Sequence, residues 1–246
     1  MPTRRQRRKK LSFRFCALIP AYNLSQTISE VVCRTREHLK EILVVDDGSQ
    51  DNTARQAKES GAKVLRIAKN QGKGLALRSG FKHLLEKPWE GIVTLDGDLQ
   101  HDPGEIPNLI EEHDKSRSQI VIGSRMAETE RMPWIRYWTN RIGVYCISWA
   151  VGQPLTDTQS GFRLYGREVL ENIPLWTSRY DTETEILLKA ALLGMKITYV
   201  PIKTIYYEDD KNSSSFRPFP DTFLICMVFL KSLFWRRGWY LRDFKI

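Results

Sequence analysis

The sequence predicts an α/β protein with a mostly parallel, Rossmann-like central sheet flanked by helices. Short apolar, β-branched runs alternate with segments of helical spacing, and the connections between them are short. This alternation is typical of a parallel sheet covered by helices. The chain has 246 residues, 41% of them hydrophobic and 27% charged, which is the composition of an ordinary globular protein with one large domain.

The first half of the chain supplies the clearest strands. Each is a short apolar run, and a cluster rich in Gly, Asn or Asp follows it. The predicted strands are residues 13–20, 41–45, 64–68, 91–95 and 120–123.

Helices are predicted between these strands from their caps and boundaries. Ser25 is a good N-cap for the first helix, and Asp51 or Asn52 for the second, which Gly61 ends. Pro88 bounds the third helix, and a fourth covers residues 104–113. The second half is predicted to hold an aromatic-rich helix (134–150), a polar loop (156–163), a strand (162–165), an amphipathic helix (181–193) and two strands within 196–207.

The termini differ from the domain between them, which we assign to residues 13–220. Residues 1–12 form a basic arm, predicted to be disordered, that carries six basic residues and no acid. Without them the formal charge of +9 falls to about +3, which argues against a nucleic-acid-binding surface. Residues 221–246 are predicted to form an apolar amphipathic helix with a basic tail, docked either on the domain or at a membrane interface.

Cysteine usage and hydropathy indicate the compartment. The four cysteines are far apart and show no metal-binding spacing, as expected for reduced thiols of a cytoplasmic protein. No run of eighteen apolar residues occurs. We therefore expect a cytoplasmic protein, peripheral at the cytoplasmic face of a membrane, that contacts the membrane surface through the C-terminal helix and the basic arm.

Polar clusters follow four of the predicted strands. They contain Asn23, the pair Asp46 and Asp47, the segment 96–100, and residues 123–125. Ligands of parallel sheets bind beyond the carboxyl ends of the strands, so these clusters predict one shared site. Within it, Asp96 and Asp98 are separated by one residue, and their mutual repulsion favours a hard divalent cation such as Mg²⁺ or Mn²⁺ between them.

Several of these segments, in this order, resemble the motifs of family 2 glycosyltransferases. They are Ile19–Asn23, Val44–Ser49, Asn70–Gly74, Asp96–Asp98 and Gly123–Arg125. Within that family the chain is most similar to the polyprenyl-phosphate sugar transferases, the group that includes dolichyl-phosphate mannose synthase. The segments Asp157–Arg163 and Ser215–Pro218 support this subgroup.

The resemblance implies a GT-A fold, a nucleotide-sugar donor (GDP- or UDP-linked), a divalent metal and an acceptor. By motif position, the donor site would contain Pro20, Ala21, Tyr22, Asn23, Asp46, Asp47, Lys73, Asp96, Gly97, Asp98, Gln100 and Arg125. Asp46 or Asp47 would meet the base and Lys73 would lie near the nucleoside edge. Asp96, Asp98 and Gln100 would hold the metal, Arg125 would face the donor phosphates, and Gln159, Arg163 and Arg217 would face the acceptor.

The implied reaction is a single displacement at the anomeric carbon, with inversion. Asp98 and Arg125 are the catalytic candidates on the leaving-group side. A polyprenyl phosphate acceptor would need no base, whereas a sugar hydroxyl would need one, for which Asp157, Asp181 and Glu183 are candidates. Two rival classes are a nucleotidyltransferase, which usually needs a Gly-rich loop after the first strand, and a basic nucleic-acid-binding protein.

Overall fold

The computed structural model describes residues 14–124, 144–145, 148, 155–158, 160–177 and 181–202. The basic arm, most of the predicted aromatic helix and the C-terminal helix at residues 221–246 lie outside these ranges, as do Arg125, Gln159 and Arg217. None of the helices in the described part combines the length and the apolar character needed to span a bilayer.

A seven-stranded mixed sheet lies at the centre of the described residues. Its strands run in the order β3-β2-β1-β4-β6-β5-β7. All neighbouring pairs are parallel except those of β6, which is antiparallel to both β4 and β5. The strands are β1 Phe15–Ala21, β2 Ile42–Asp46, β3 Lys63–Arg66, β4 Gly91–Thr94, β5 Ile120–Ser124, β6 Arg163–Gly166 and β7 Ile197–Pro201.

Helices connect the strands and cover the sheet. They are α1 Ile28–Arg36, α2 Thr53–Glu59, α3 Lys73–Leu85, α4 Ile106–Ser116, α5 Arg167–Asn172 and α6 Asp181–Leu192. A 3₁₀ turn at Pro103–Glu105 precedes α4. Helix α5 is short and was not anticipated from the sequence, whereas the predicted boundaries of the other described helices are close to the observed ones.

The core has two layers because the five inner strands, β2, β1, β4, β6 and β5, are buried on both faces. Phe15, Ala17 and Ile19 of β1 pack with α1, α2 and α4. The alternate residues Cys16 and Leu18 pack with α3, α5 and α6 on the other face. This two-sided burial explains why the strand reads as a continuous apolar run rather than an alternating one.

Helix α3 approaches β1 closely at Gly80. A Cβ atom at this position would lie 2.8 Å from Leu18 Cδ2, closer than real Cβ contacts allow. The absence of a side chain at Gly80 therefore lets α3 lie directly against the sheet. This close packing fixes the position of α3, whose first residue is Lys73. The predicted α/β fold with a mostly parallel sheet flanked by helices is confirmed, and the reversed direction of β6 is the departure from it.

Candidate active site

The carboxyl ends of three neighbouring parallel strands form the edge on which the predicted site residues lie. Strands β2, β1 and β4 are adjacent, and they end at Asp46, Ala21 and Thr94. The loops that follow are cross-linked: Asn23 N–H donates to Ser49 Oγ over 2.9 Å, and Gln50 N–H donates to Asn23 Oδ1 over 2.9 Å. The first two strand-end clusters are therefore a single bonded unit.

The two acids after β2 are buried and hold backbone groups in place. Asp47 accepts hydrogen bonds from the N–H groups of Gln71 (3.0 Å) and Gly72 (2.7 Å), so it fixes the start of α3. Asp46 accepts from Ser49 N–H and pairs with Arg66 over 3.2 Å. Both carboxylates organise the loops around the predicted nucleoside pocket, and a direct contact with the base stays a prediction.

The remaining residues predicted around the nucleoside differ in exposure. Pro20 and Ala21 belong to the buried strand β1, so they shape the pocket through their backbone and bulk. Tyr22 follows at the strand end with 38% of its surface exposed. An exposed aromatic ring beside a strand-end loop is suited to packing against a planar base.

The Asp96–Gln100 loop is fixed by a turn and by contacts of its backbone. Asp98 Oδ1 accepts a hydrogen bond from Gln100 N–H over 3.0 Å, across Leu99, which has a φ of +65°. Gly97 O accepts from Thr27 Oγ over 2.6 Å. A left-handed conformation at a non-glycine residue is uncommon, so its presence between Asp98 and Gln100 indicates a constrained loop.

This loop fits a divalent cation by the chemistry of its donors. Asp96, Asp98 and Gln100 are only partly buried and supply carboxylate and amide oxygens, the ligands that Mg²⁺ and Mn²⁺ prefer. Among the described residues, no group of three or more His, Cys, Asp or Glu residues is placed to hold a metal alone. A site of two carboxylates completed by substrate phosphates and water is usual for Mg²⁺.

Lys73 joins Asp96 to the first turn of α6. Its ammonium lies 2.6 Å from Asp96 Oδ1 and 3.3 Å from Glu183 Oε2. Asp181 and Glu183 are both buried, so they do more than face solvent at a helix start. The structure brings Lys73 beside the Asp96 carboxylate, and its predicted place near the nucleoside edge stays a prediction.

Two residues near Asp96 were not singled out from the sequence. A Cβ at Gly161 would lie 2.8 Å from Lys73 Nζ and 2.9 Å from Asp96 Cγ, so a side chain at this position would force the ion pair to shift. His101 is buried, packs its ring against Phe162, and places Nδ1 3.7 Å from Asp96 Oδ2. Gly161 lies within the polar loop 156–163, and the fold shows that it lies beside Asp96.

Arg163 is placed differently from the predicted acceptor contact. It is fully buried, and its guanidinium donates to the carbonyl oxygens of Ser160 (2.5 Å), Thr158 (2.8 Å) and Glu183 (3.0 Å). Its Nη1 also lies 3.4 Å from Tyr165 Oη. Burial raises the pKa of Tyr165 to about 12, so this hydroxyl stays neutral. Arg163 therefore ties the 156–163 loop to α6, and its full burial does not fit the predicted direct contact with an acceptor.

Three further candidates fall outside the described residues. They are Arg125 and the acceptor-side residues Gln159 and Arg217, whose assignments stay predictions. Of the described candidates, the structure brings Asp96, Lys73 and Glu183 into direct contact.

The family model described as "Glycosyl transferase family 2" matches residues 16–173 of the chain. Among similar proteins, a UDP-N-acetylglucosamine--dolichyl-phosphate N-acetylglucosaminyltransferase of Methanococcus voltae is 34% identical, covering 78% of this chain and 85% of the relative. An undecaprenyl-phosphate mannosyltransferase of Micrococcus luteus is 31% identical, covering 79% and 85%. A dolichol-phosphate mannosyltransferase of Pyrococcus furiosus is 34% identical, covering 75% of this chain and 54% of the relative.

A similar fold occurs in a solved structure. The crystal structure of glucosyl-3-phosphoglycerate synthase from Mycobacterium tuberculosis, in complex with Mn²⁺, uridine diphosphate and phosphoglyceric acid, superposes with a TM-score of 0.71. The match covers 94% of this chain and 82% of that one, at 21% identity. At this identity the likeness concerns the arrangement of strands and helices.

Proposed function

This chain belongs to glycosyl transferase family 2, and we propose that it transfers a hexose from a nucleotide sugar to a polyprenyl phosphate, with inversion and with a divalent metal. The observation that carries the proposal is the convergence of the Asp96–Gln100 loop with the β1 and β2 loops at one edge of the sheet. The acceptor class is supported by relatives at 31–34% identity whose names specify dolichyl, dolichol or undecaprenyl phosphate.

The donor is proposed to lie across this edge. Tyr22, Asn23, Asp46 and Asp47 would surround the nucleoside, and Asp96, Asp98 and Gln100 would hold Mg²⁺ or Mn²⁺ at the diphosphate. The metal, when bound, neutralises negative charge that develops on the leaving nucleoside diphosphate. Arg125, two residues beyond Gly123 in the sequence, is proposed to add a second positive charge there.

The contact between Glu183 and Lys73 favours a phosphate acceptor over a sugar hydroxyl. A hydroxyl nucleophile needs a base to remove its proton, whereas a phosphate monoester is already largely dianionic at neutral pH because its second pKa is about 6. Glu183 lies 3.3 Å from the Lys73 ammonium, so its carboxylate is engaged by a cation of the site. Asp181 and Asp157, which are also buried, are the remaining candidates for a base if the acceptor is a hydroxyl.

A substrate screen of the purified chain tests the function. GDP-mannose and UDP-sugars are incubated with polyprenyl phosphate, or with a matched polyprenol that lacks the phosphate, in Mg²⁺, Mn²⁺ or EDTA. We expect sugar transfer to the phosphate alone, with loss of transfer in EDTA that added metal restores. Transfer to hydroxyl acceptors with none to polyprenyl phosphate would contradict the acceptor assignment, and undiminished transfer in EDTA would contradict the metal.

Membrane contact is proposed for the basic arm, at the cytoplasmic face. Each basic residue near an anionic surface contributes about 1 kcal/mol, so deletion of residues 1–10 should weaken sedimentation with anionic vesicles. Transfer to a short, water-soluble polyprenyl phosphate should be retained, because the arm precedes the strands that form the site. The check is co-sedimentation with anionic and neutral vesicles, and unchanged binding to anionic vesicles would leave the C-terminal segment as the remaining anchor candidate.

A further inference from the structure

The contact between Lys73, Asp96 and Glu183 places one cation between two carboxylates inside the site. The lysine side chain is 16% exposed and the Glu183 side chain 6%, so water screens this group of charges poorly. Two carboxylates that share a poorly hydrated space repel each other, and the ammonium between them offsets that repulsion. Lys73 therefore stabilises the metal-free arrangement of the two carboxylates.

The cation is closer to one acid than to the other. Its Nζ atom is 2.6 Å from Asp96 Oδ1 but 3.3 Å from Glu183 Oε2. The second oxygen of the glutamate, Oε1, is buried and accepts no hydrogen bond from any described residue. Such a buried oxygen is costly to leave without a donor, so Glu183 has acceptor capacity that the present contact does not use.

The surrounding elements hold Glu183, the backbone of Lys73 and the loop that begins at Asp96, whose Gly97 carbonyl accepts from Thr27. Glu183 lies in the first turn of α6, and its backbone carbonyl accepts from the buried Arg163. Lys73 is the first residue of α3, whose start is fixed by Asp47. The mobile part of the contact is thus the flexible lysine side chain, which can shift between two anchored carboxylates.

We propose that Lys73 is the resident counter-cation of the metal site, which neutralises Asp96 before a metal binds and moves to Glu183 when the metal takes Asp96. The proposal rests on the metal-dependent function proposed above. A divalent ion and an ammonium group cannot share one carboxylate oxygen without strong repulsion, so binding of the ion displaces the lysine. Glu183 receives it, and the metal affinity is set by this competition.

The test measures Mn²⁺ binding to the full-length protein without nucleotide, by isothermal titration calorimetry. Lys73→Met keeps the length of the side chain and removes its charge. We expect this variant to bind Mn²⁺ about tenfold more tightly than the wild type, equivalent to about 1.4 kcal/mol. The matched control, Lys82→Met, makes the same change at an exposed position of the same helix and should leave the affinity unchanged.

A second measurement separates competition from general electrostatics. If Lys73 competes with the metal at Asp96, its removal should tighten binding only when Asp96 is present. Lys73→Met in an Asp96→Asn background should therefore bind Mn²⁺ no more tightly than Asp96→Asn alone. Glu183→Gln, which removes the alternative position of the ammonium, should weaken Mn²⁺ binding in the wild-type background.

Thermal unfolding in EDTA shows whether the variants fold and supplies a readout without metal. Lys73→Met should melt at a lower temperature than the wild type in EDTA. Saturating Mn²⁺ should raise the melting temperature of Lys73→Met by more than it raises that of the wild type. If the wild type binds Mn²⁺ and Lys73→Met binds it equally or more weakly, this inference is overturned, while the proposed function is left standing. Wild-type sugar transfer that proceeds fully in EDTA would instead overturn the metal-dependent function, and the inference with it.

Discussion

Asp98→Ala is expected to lower kcat/KM for sugar transfer by about 10³-fold, because it removes a proposed metal ligand whose contribution at a developing charge is several kcal/mol. The side chain also forms the turn that places Gln100, through Asp98 Oδ1 and Gln100 N–H at 3.0 Å. The variant should fold, because Asp98 lies in a partly exposed loop rather than in the core. Steady-state kinetics over a range of Mg²⁺ and Mn²⁺ concentrations, with circular dichroism for folding, provides the check.

A nearby carboxylate provides the control. Asp102 lies in the same loop, but its Oδ1 accepts from Gly104 N–H over 2.8 Å and pairs with Arg34 over 2.6 Å. Asp102→Ala should cost about 1 kcal/mol of stability, as other lost N-caps do, with transfer reduced only a few-fold. Full activity of Asp98→Ala, or an equal loss in both variants, would show that Asp98 is not a metal ligand.

Arg163→Met is expected to lower the free energy of unfolding by about 3–5 kcal/mol, the range for breaking a buried charged contact. The substitution approximates the length of the side chain but removes every donor. The carbonyl oxygens of Thr158, Ser160 and Glu183 would then be buried without their observed donors, each at a cost of about 1–3 kcal/mol if nothing replaces them. Urea denaturation measures the change.

The control for this variant is an arginine on the surface. Arg55 is 75% exposed at its side chain and pairs with Glu59 one helical turn away. Arg55→Met should change stability by no more than about 0.5 kcal/mol, as is usual for exposed pairs. If Arg163→Met lowers the free energy of unfolding by less than about 1 kcal/mol, the positioning role is contradicted. Removal of several buried hydrogen bonds should cost more than this.

The positions of the site loops could be predicted from the sequence, because short stretches of sequence indicate both where a strand ends and which residues can bind a ligand. Apolar runs that end at Asp46 and before Asp96 predicted that these two loops follow parallel strands, and both strands do end at the same edge of the sheet. The contact between Lys73 and Glu183 could not be predicted from the sequence. It depends on how α3 packs against α6, and the two residues are more than a hundred positions apart in the chain. In the sequence, the acids at the start of α6 have the pattern of ordinary side chains that complement the helix dipole, and only the structure shows that they are buried.

The polar loop before β6 shows the same limit. Its residues Asp157, Thr158 and Ser160 look like surface residues, yet all three are buried. The arginine that follows them supplies the donors their backbone needs, which composition does not reveal. Strand direction is equally hidden, because a short β-branched run has the same pattern whether it is parallel or antiparallel to its neighbours.

The reversal of β6 has a consequence for how chains with this fold can diversify. Strand β5 ends, and β6 begins, at the edge where β4 ends, since Thr94 is paired with Arg163 and Ile122 with the same residue. The connection from Ser124 to Arg163 therefore leaves and re-enters the sheet at the edge of the candidate site. Insertions and substitutions early in this connection would leave every described strand pairing intact, whereas its last residues are buried and include Gly161 beside Lys73 and Asp96, so they would tolerate few changes. Under the proposed function, relatives could acquire a new acceptor preference through this one segment while they keep the loops that follow β1 and β2.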